Sequence, residues 1–403
     1  MTNANGFKLP LTALLPIVNH KQQLAALSMH FETDSVAQSL QLLQQLKQLE
    51  FFDKLPGLSL FISVDNPVAL PADVAERIES SQVTLLVPDI AYADQEVQSK
   101  LQHLASKGIP LVVDDFTSKS APVWEGARAV AVDCRNGVPV DVKPCLSSLP
   151  NGLHLAKKIA TPVQLHEALD AGFNLFSGDY AFNPTPNGKS SDAGARARLL
   201  KLLGLVSRDA ESRELEELFK QDGNLSFMLF KLVSSAAFAQ TVKVTSFGQA
   251  INLLGRRQLQ RWLQLLLYTR PQDSGGALNP LMLRAAFRAS LMEAFCQKNG
   301  GNRDAQDCAF MVGMFSLLDT LFGSPLSEIL QPLSLHDEVL AALLRHEGQL
   351  GRQLALVSCA DRDHYGDGMI NSDRLNAIGI DEVAYYEALI KAYVWVNQVC
   401  QDI

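Results

Sequence analysis

The feature that most constrains this chain is a change of rhythm near residue 183. Before it, short apolar runs of β type alternate with amphipathic helical patterns. After it, almost only helical patterns continue to the end. Residues 60–64 (LFISV), 83–87 (VTLLV), 109–113 (IPLVV), 129–133 (AVAVD), 152–156 (GLHLA) and 174–178 (NLFSG) read as strands. They are short and often continuously apolar, as strands covered on both faces should be. Between them, residues 35–49 place Val36, Leu40, Leu43 and Leu46 on one stripe, and residues 93–107 do so with Val97, Leu101 and Leu104. Thr161 and Gln164 have capping-box spacing, with Pro162 at the first helical position. Repeated strand–helix order implies parallel strands, and about seven such units favour a βα barrel over an open sheet.

The segment 183–194 (NPTPNGKSSDAG) is rich in Pro, Gly, Ser and Asn and reads as a linker. Beyond it, helical patterns fall at 199–206, 215–221, 226–234, 246–254, 257–268, 281–297, 305–322, 335–344, 348–357 and 382–399. Helix-only patterning over this length predicts an all-α domain with its own core. The expected organisation is therefore a barrel over 1–182, a linker over 183–194 and a separable helical domain over 195–403. A chain of 403 residues with 47% hydrophobic and 19% charged residues can bury both cores.

A net charge of −8, with no lysine-rich block, argues against a general nucleic-acid binder or a polybasic membrane anchor. No charge-free run approaches the ~18 residues of a membrane span, and Lys8 and Pro10 break any signal-peptide core. The six cysteines form no CxxC pair and read as buried thiols of a cytoplasmic protein.

In a βα barrel the chemistry sits where the strands end. The carboxylates there are Asp65, Asp89, the adjacent Asp114 and Asp115, and Asp133, with Lys157 and Lys158 beside them. Alternation along a strand predicts that Asp114 and Asp115 do not both point inward. A pair of divalent metals needs several converging oxygen ligands, and this mouth looks poor in them.

Residues 15–184 resemble the EAL domain, through PIVN at 16–19, VVDDF at 112–116 and LAKKIATPVQLHEALDAGFNLFSGDYAFNP at 155–184. The helical half resembles the HDOD domain, a relative of the HD hydrolases. The matching stretches are 229–269, RAAFRASLMEAF at 284–295 and AFMVGMFSLLDTLFG at 309–323. Together they give the layout of the YuxH-like EAL–HDOD signalling proteins. The resemblance implies an EAL-type, TIM-like βα barrel that in its active form hydrolyses cyclic di-GMP with metal ions, followed by an all-α HDOD domain.

Position by position, the resemblance places the family's first metal-binding glutamate on Ser28 and a phosphate-contacting arginine on Glu32. It places the asparagine ligand on Ser63 and the third-strand glutamate near Leu86. Asp114 and Asp115 match the paired aspartates. The catalytic lysine falls on Ala131 while its aspartate stays as Asp133, two further glutamates fall on Lys157 and Ala160, and the closing glutamine falls on Ser177. In the helical half the His-Asp pair falls on Leu318-Asp319, so its histidine is missing. Loss of carboxylates removes the charge that holds a dication. The expectation is a catalytically inactive barrel with no cofactor and no metal, in a regulatory protein working through protein partners of the HDOD domain.

Two alternatives stay open: a cyclic di-GMP phosphodiesterase with an unusual ligand set, and a receptor that binds without hydrolysis. Glu32 repels a dianionic ligand and weighs against the receptor. A homodimer is compatible with this reading.

Other motifs are weaker. His336-Asp337 starts a helix, where Asp suits the first turn, and reads as a chance dipeptide. Asp361-x-Asp363-x-Tyr365-x-Asp367-Gly368 lacks the twelfth-position glutamate of a calcium loop and reads as solvated. Trp262, Tyr268, Tyr393 and Trp395 read as core. Arg256, Arg257 and Arg261 lie near one helix start and are the candidate partner surface, against the blander reading of a solvated face.

Overall fold

A computed structural model of the chain describes residues 9–29, 31, 36–74, 82–116, 126–183, 190–233, 246–269, 278–362 and 370–402. Eight strands close into a barrel in sequence order. They are β1 (Leu14–Asn19), β2 (Leu24–Met29), β3 (Ser59–Ser63), β4 (Val83–Pro88), β5 (Leu111–Asp114), β6 (Ala129–Asp133), β7 (Leu155–Lys157) and β8 (Leu175–Phe176). The strands expected from apolar runs are all present, shifted by a few residues at their ends.

One expectation needs correcting. The strands are not all parallel: β1 runs antiparallel to both β2 and β8, while β2 to β8 are parallel. The cause is a tight reversal between β1 and β2. Asn19 Oδ1 accepts from Lys21 N at 2.8 Å and Gln23 N at 3.1 Å, and Gln22 takes a positive φ of 62°. A turn this short cannot return the chain in parallel.

Two apolar layers hold the barrel. The interior is filled by Ile17, Ala26, Phe61, Leu86, Val112, Ala129, Ala131, Leu155 and Leu175, at least one from every strand. The alternate side chains face outward and join helices Val36–Gln48, Gln95–Ser106 and Pro162–Ala171. Thr161 and Gln164 form the expected capping box with Pro162 in the first turn.

The outer cluster does not stop at the barrel. It runs on into the helical half, so the two halves share one continuous apolar layer rather than keeping separate cores. The reason lies in the β1–β2 turn, which leaves the outer face of that hairpin without a crossover helix. Helices Pro280–Lys298 and Glu382–Asp402 bond to that side of the barrel. Tyr386 Oη accepts from Thr12 N at 3.0 Å and donates to Pro10 O at 2.9 Å. Tyr393 Oη donates to Leu14 O, Leu278 N to Lys21 O at 3.0 Å, and Gln23 Nε2 to Cys400 O at 3.4 Å.

The helical half follows the expected pattern with three differences. Helix Ser190–Ser207 begins inside the segment read as a linker; residues 184–189 lie outside the described residues. The pattern over 305–322 is two helices, Arg303–Phe315 and Leu318–Phe322, broken at Ser316-Leu317. Short helices Leu326–Leu330 and Ser372–Ala377 were not foreseen. Tyr268 and Tyr393 are fully buried, and Trp262 and Trp395 pack against the core, as expected.

Candidate functional site

The C-terminal ends of the barrel strands bring together Ser28, Asp114, Asp115, Lys157 and Ser177. The last residue of β7, Lys157, points inward because Leu155, two positions earlier, faces the barrel interior. Its Nζ pairs with Asp114 Oδ1 and lies 2.9 Å from Asp115 Oδ1. The ammonium and Asp114 are each 8% exposed, so this is a buried ion pair; Asp115 remains largely open to solvent. Burial works against the Lys157 charge, but the two carboxylates outweigh it and raise its pKa above the ordinary lysine value.

The expectation that Asp114 and Asp115 diverge is thereby corrected. β5 ends at Asp114, and Asp115 adopts a left-handed φ of 46°, which breaks strand alternation and turns its carboxylate back to Lys157. Asp115 N also donates to Asp114 Oδ1 at 2.9 Å.

A second pair stands beside the first. Asp133, at the end of β6, receives Lys158 Nζ at 3.3 Å and Arg135 at 3.0 Å. Partial burial raises the Asp133 pKa, but hydrogen bonds from Arg135 and the charge of Lys158 overcome this and hold it below the usual carboxylate value. Thus Asp114, Asp115 and Asp133 all face cationic side chains of this chain.

The remaining positions carry little acid chemistry. Ser28 is buried, with its hydroxyl 3.4 Å from Leu15 O. Ser63 is half-buried at the end of β3. Leu86 and Ala131 belong to the apolar filling of the barrel. Glu32 lies outside the described residues. Ser28, Lys157 and Ser177 line a crevice of about 20 Å³ with Leu15, Pro16, Lys158, Gly178 and Arg284. A second, of about 10 Å³, shares Pro16, Ser177, Gly178 and Arg284. Spaces of this size hold roughly one ordered water each. Among the described residues no three His, Cys, Asp or Glu side chains converge as a metal site requires.

Arg284 comes from the helical half, at the start of the RAAFRASLMEAF stretch, and nothing in the sequence ties it to the barrel. Its Nη2 donates to Gly178 O at 3.0 Å and its Nη1 to Asp361 O at 2.6 Å. One turn along, Arg288 meets Asp361 through Nε to Oδ2 at 2.7 Å and Nη2 to Oδ1 at 3.2 Å. Asp361 is fully buried, which corrects its reading as part of a solvated loop; residues 363–369 lie outside the described residues. The guanidinium carbons of Arg284, Arg288 and Arg362 lie 5.5, 5.6 and 4.4 Å from the centre of the Phe182 ring, where the chain leaves the barrel.

In the helical half, Leu318 is fully buried while Asp319 is exposed and accepts from Thr320 N at 2.6 Å. His336 and Asp337 are exposed at the start of helix Asp337–Arg345. The candidate arginine patch is paired within the chain, with side chains that stay 20–37% exposed. Arg256 Nη2 donates to Ala210 O at 2.6 Å, Arg257 Nε to Asp307 at 2.8 Å, and Arg261 Nη2 to Glu293 and Asp307. Arg261 also stacks 4.4 Å over Phe310. For Arg257 and Arg261 the acidic partners sit on two other helices, Pro280–Lys298 and Arg303–Phe315, and sequence distance hides them.

Residues 195–318 match the HDOD domain family. A barrel with an inverted first strand precedes this match, an order similar to the EAL–HDOD layout. Its relatives are similar over large parts of their length. It is 27% identical over 251 residues to the uncharacterized protein YuxH of Bacillus subtilis (strain 168), covering 61% of this chain and 59% of YuxH, less than two thirds of that relative. It is 25% identical over 349 residues to the cyclic di-GMP phosphodiesterase CdgJ of Vibrio cholerae serotype O1, covering 83% of this chain and 76% of CdgJ. Among solved structures, the cyclic di-GMP complex of the PaMucR phosphodiesterase aligns with a TM-score of 0.35 and 14% identity over 42% of this chain and 88% of that one.

Proposed function

We propose that this chain is a non-catalytic regulatory protein related to cyclic di-GMP signalling, in which neither half hydrolyses a substrate. The observation that carries this reading is the Lys157 ammonium between Asp114 and Asp115. A divalent ion at that place would meet a fixed positive charge, with Lys158 and Arg135 on the remaining aspartate. The residues described at the mouth do not fit a metal pair. The crevices are also far smaller than the ~300–1,000 Å³ of ordinary ligand sites. This favours output through protein contacts of the HDOD half over recognition of a dinucleotide in the barrel.

A second reading, cyclic di-GMP hydrolysis or metal-free binding, is favoured by one observation: CdgJ, named as a phosphodiesterase, aligns with most of the chain. The deciding experiment is incubation of the full chain with cyclic di-GMP and Mg²⁺ or Mn²⁺, with separation of the linear product. No product above a protein-free control is expected. Metal-dependent turnover that disappears in Asp114→Ala would establish the second reading.

A further inference from the structure

The seam between β1 and β8 is incomplete. Val18 opposes Phe176 and Asn19 opposes Leu175, so continuing the antiparallel register places Pro16 opposite Gly178. Asn19 N donates toward β2, to Gln23 O, so the backbone nitrogens of Val18 and Pro16 face β8 by alternation. Ser177 N donates to Ala156 O and Ser177 O accepts from Ile159 N, both on the β7 side, so Phe176 O and the Gly178 N–H turn toward β1. β8 ends at Phe176, and a ladder continued by one more bonded pair would call for a hydrogen bond between Pro16 and Gly178. Proline has no N–H to give.

The donor found at Gly178 O is Arg284 Nη2, at 3.0 Å, from helix Pro280–Lys298. Arg284 is 7% exposed, and its other arm is anchored on Asp361 O. It stands between the two crevices, both of which it lines with Pro16, Ser177 and Gly178; the larger one reaches Lys157 and Ser28. Gly178 itself has little room to move toward β7. It has a φ of 133°, and a Cβ there would sit 2.3 Å from Ile159 O.

We propose that Arg284 closes the barrel in place of the hydrogen bond that Pro16 cannot make. The helical half thereby holds the barrel mouth shut. Access to the Lys157–Asp114 pair then depends on how the helical half is seated. This holds whichever way the hydrolysis assay falls, because it rests on backbone register and one side chain.

The test is the rate of reductive methylation of Lys157 in the full-length protein, read by peptide mass spectrometry. Exposed Lys54 and partly buried Lys100 serve as internal references. In wild type Lys157 should be protected. In Arg284→Ala its rate should rise on the order of tenfold, the factor that loss of one hydrogen bond to a charged group gives in a local opening equilibrium. Lys54 and Lys100 should stay unchanged, which separates seam opening from global unfolding. Adding Pro16→Ala restores a backbone N–H facing Gly178, so the double variant should return most of the way to the wild-type rate. An unchanged Lys157 rate in folded Arg284→Ala overturns the proposal, and so does a double variant as reactive as the single one. If Arg284→Ala does not fold, Arg284→Met keeps the stem volume without the donors and is judged by the same criteria. In wild type, Lys157 reactivity in subdenaturing urea should rise together with amide exchange of residues 280–298. A rise while that helix stays protected overturns the proposal independently.

Discussion

Replacing Asp361 by alanine should destabilise the protein severely, although sequence places it beside a polar loop. Arg288 and Asp361 are 4% and 1% exposed and meet through two charged hydrogen bonds. Removing the carboxylate leaves a guanidinium closed off from water, with Ser316 Oγ as a remaining partner at 3.1 Å. Breaking such a pair from one side costs about 3–5 kcal/mol, a large share of the ~5–15 kcal/mol that holds an ordinary domain. Arg345 and Glu347 form the contrasting case, 57% and 60% exposed, where Glu347→Ala should cost ~1 kcal/mol or less. Arg288→Met with Asp361→Leu removes both charges together and should recover most of the loss. Arg284 keeps its anchor throughout, because it bonds the backbone carbonyl of Asp361. Urea unfolding followed by circular dichroism compares the four proteins. An Asp361→Ala variant within ~1 kcal/mol of wild type would refute the reasoning.

Two other outcomes follow from the same packing. Residues 1–182 expressed alone should fail to melt cooperatively and should bind a hydrophobic dye, since Tyr386, Tyr393 and Arg284 no longer cover and pair the β1–β2–β8 side; a monomeric fragment with a sharp thermal transition would contradict this. Stability should also fall on mild acidification through His154, whose Nδ1 accepts from Val130 N. Burial holds this imidazole below its ordinary 6.5, so the unfolded chain takes the proton more readily. The contribution is full above about pH 6.5 and declines below it, by at most about 1.4 kcal/mol per pH unit. Urea midpoints of wild type and His154→Gln at pH 7.5 and 5.5 check this, with a shallower pH dependence expected in the variant.

The barrel was legible because its parallel strands are buried on both faces and so read as unbroken apolar runs. The first two strands were not. LLPIVN carries a proline and LAALSM is rich in residues of low β propensity, and only their pairing with each other and with β8 makes them strands. The helix pattern over 305–322 runs on through Ser316-Leu317 although the backbone breaks there, because apolar spacing records burial and not continuity. The residues at the strand ends were legible one by one, yet the way they pair was not. Lys157 meets Asp115 across 42 residues and Arg288 meets Asp361 across 73, and no local pattern announces a partner that far away. The pairing of Arg256, Arg257 and Arg261 is hidden for the same reason: Ala210 lies between two helices, and Glu293 and Asp307 come from two others.

The barrel mouth carries its own cation, Lys157. Titration of the full-length protein with Mn²⁺, followed by electron paramagnetic resonance of the free ion, tests it directly. Wild type should leave Mn²⁺ free at millimolar concentration, and Lys157→Ala should take up more than wild type, because Asp114 and Asp115 then lose their ammonium. Stoichiometric uptake by wild type that is abolished in Asp114→Ala would contradict the account.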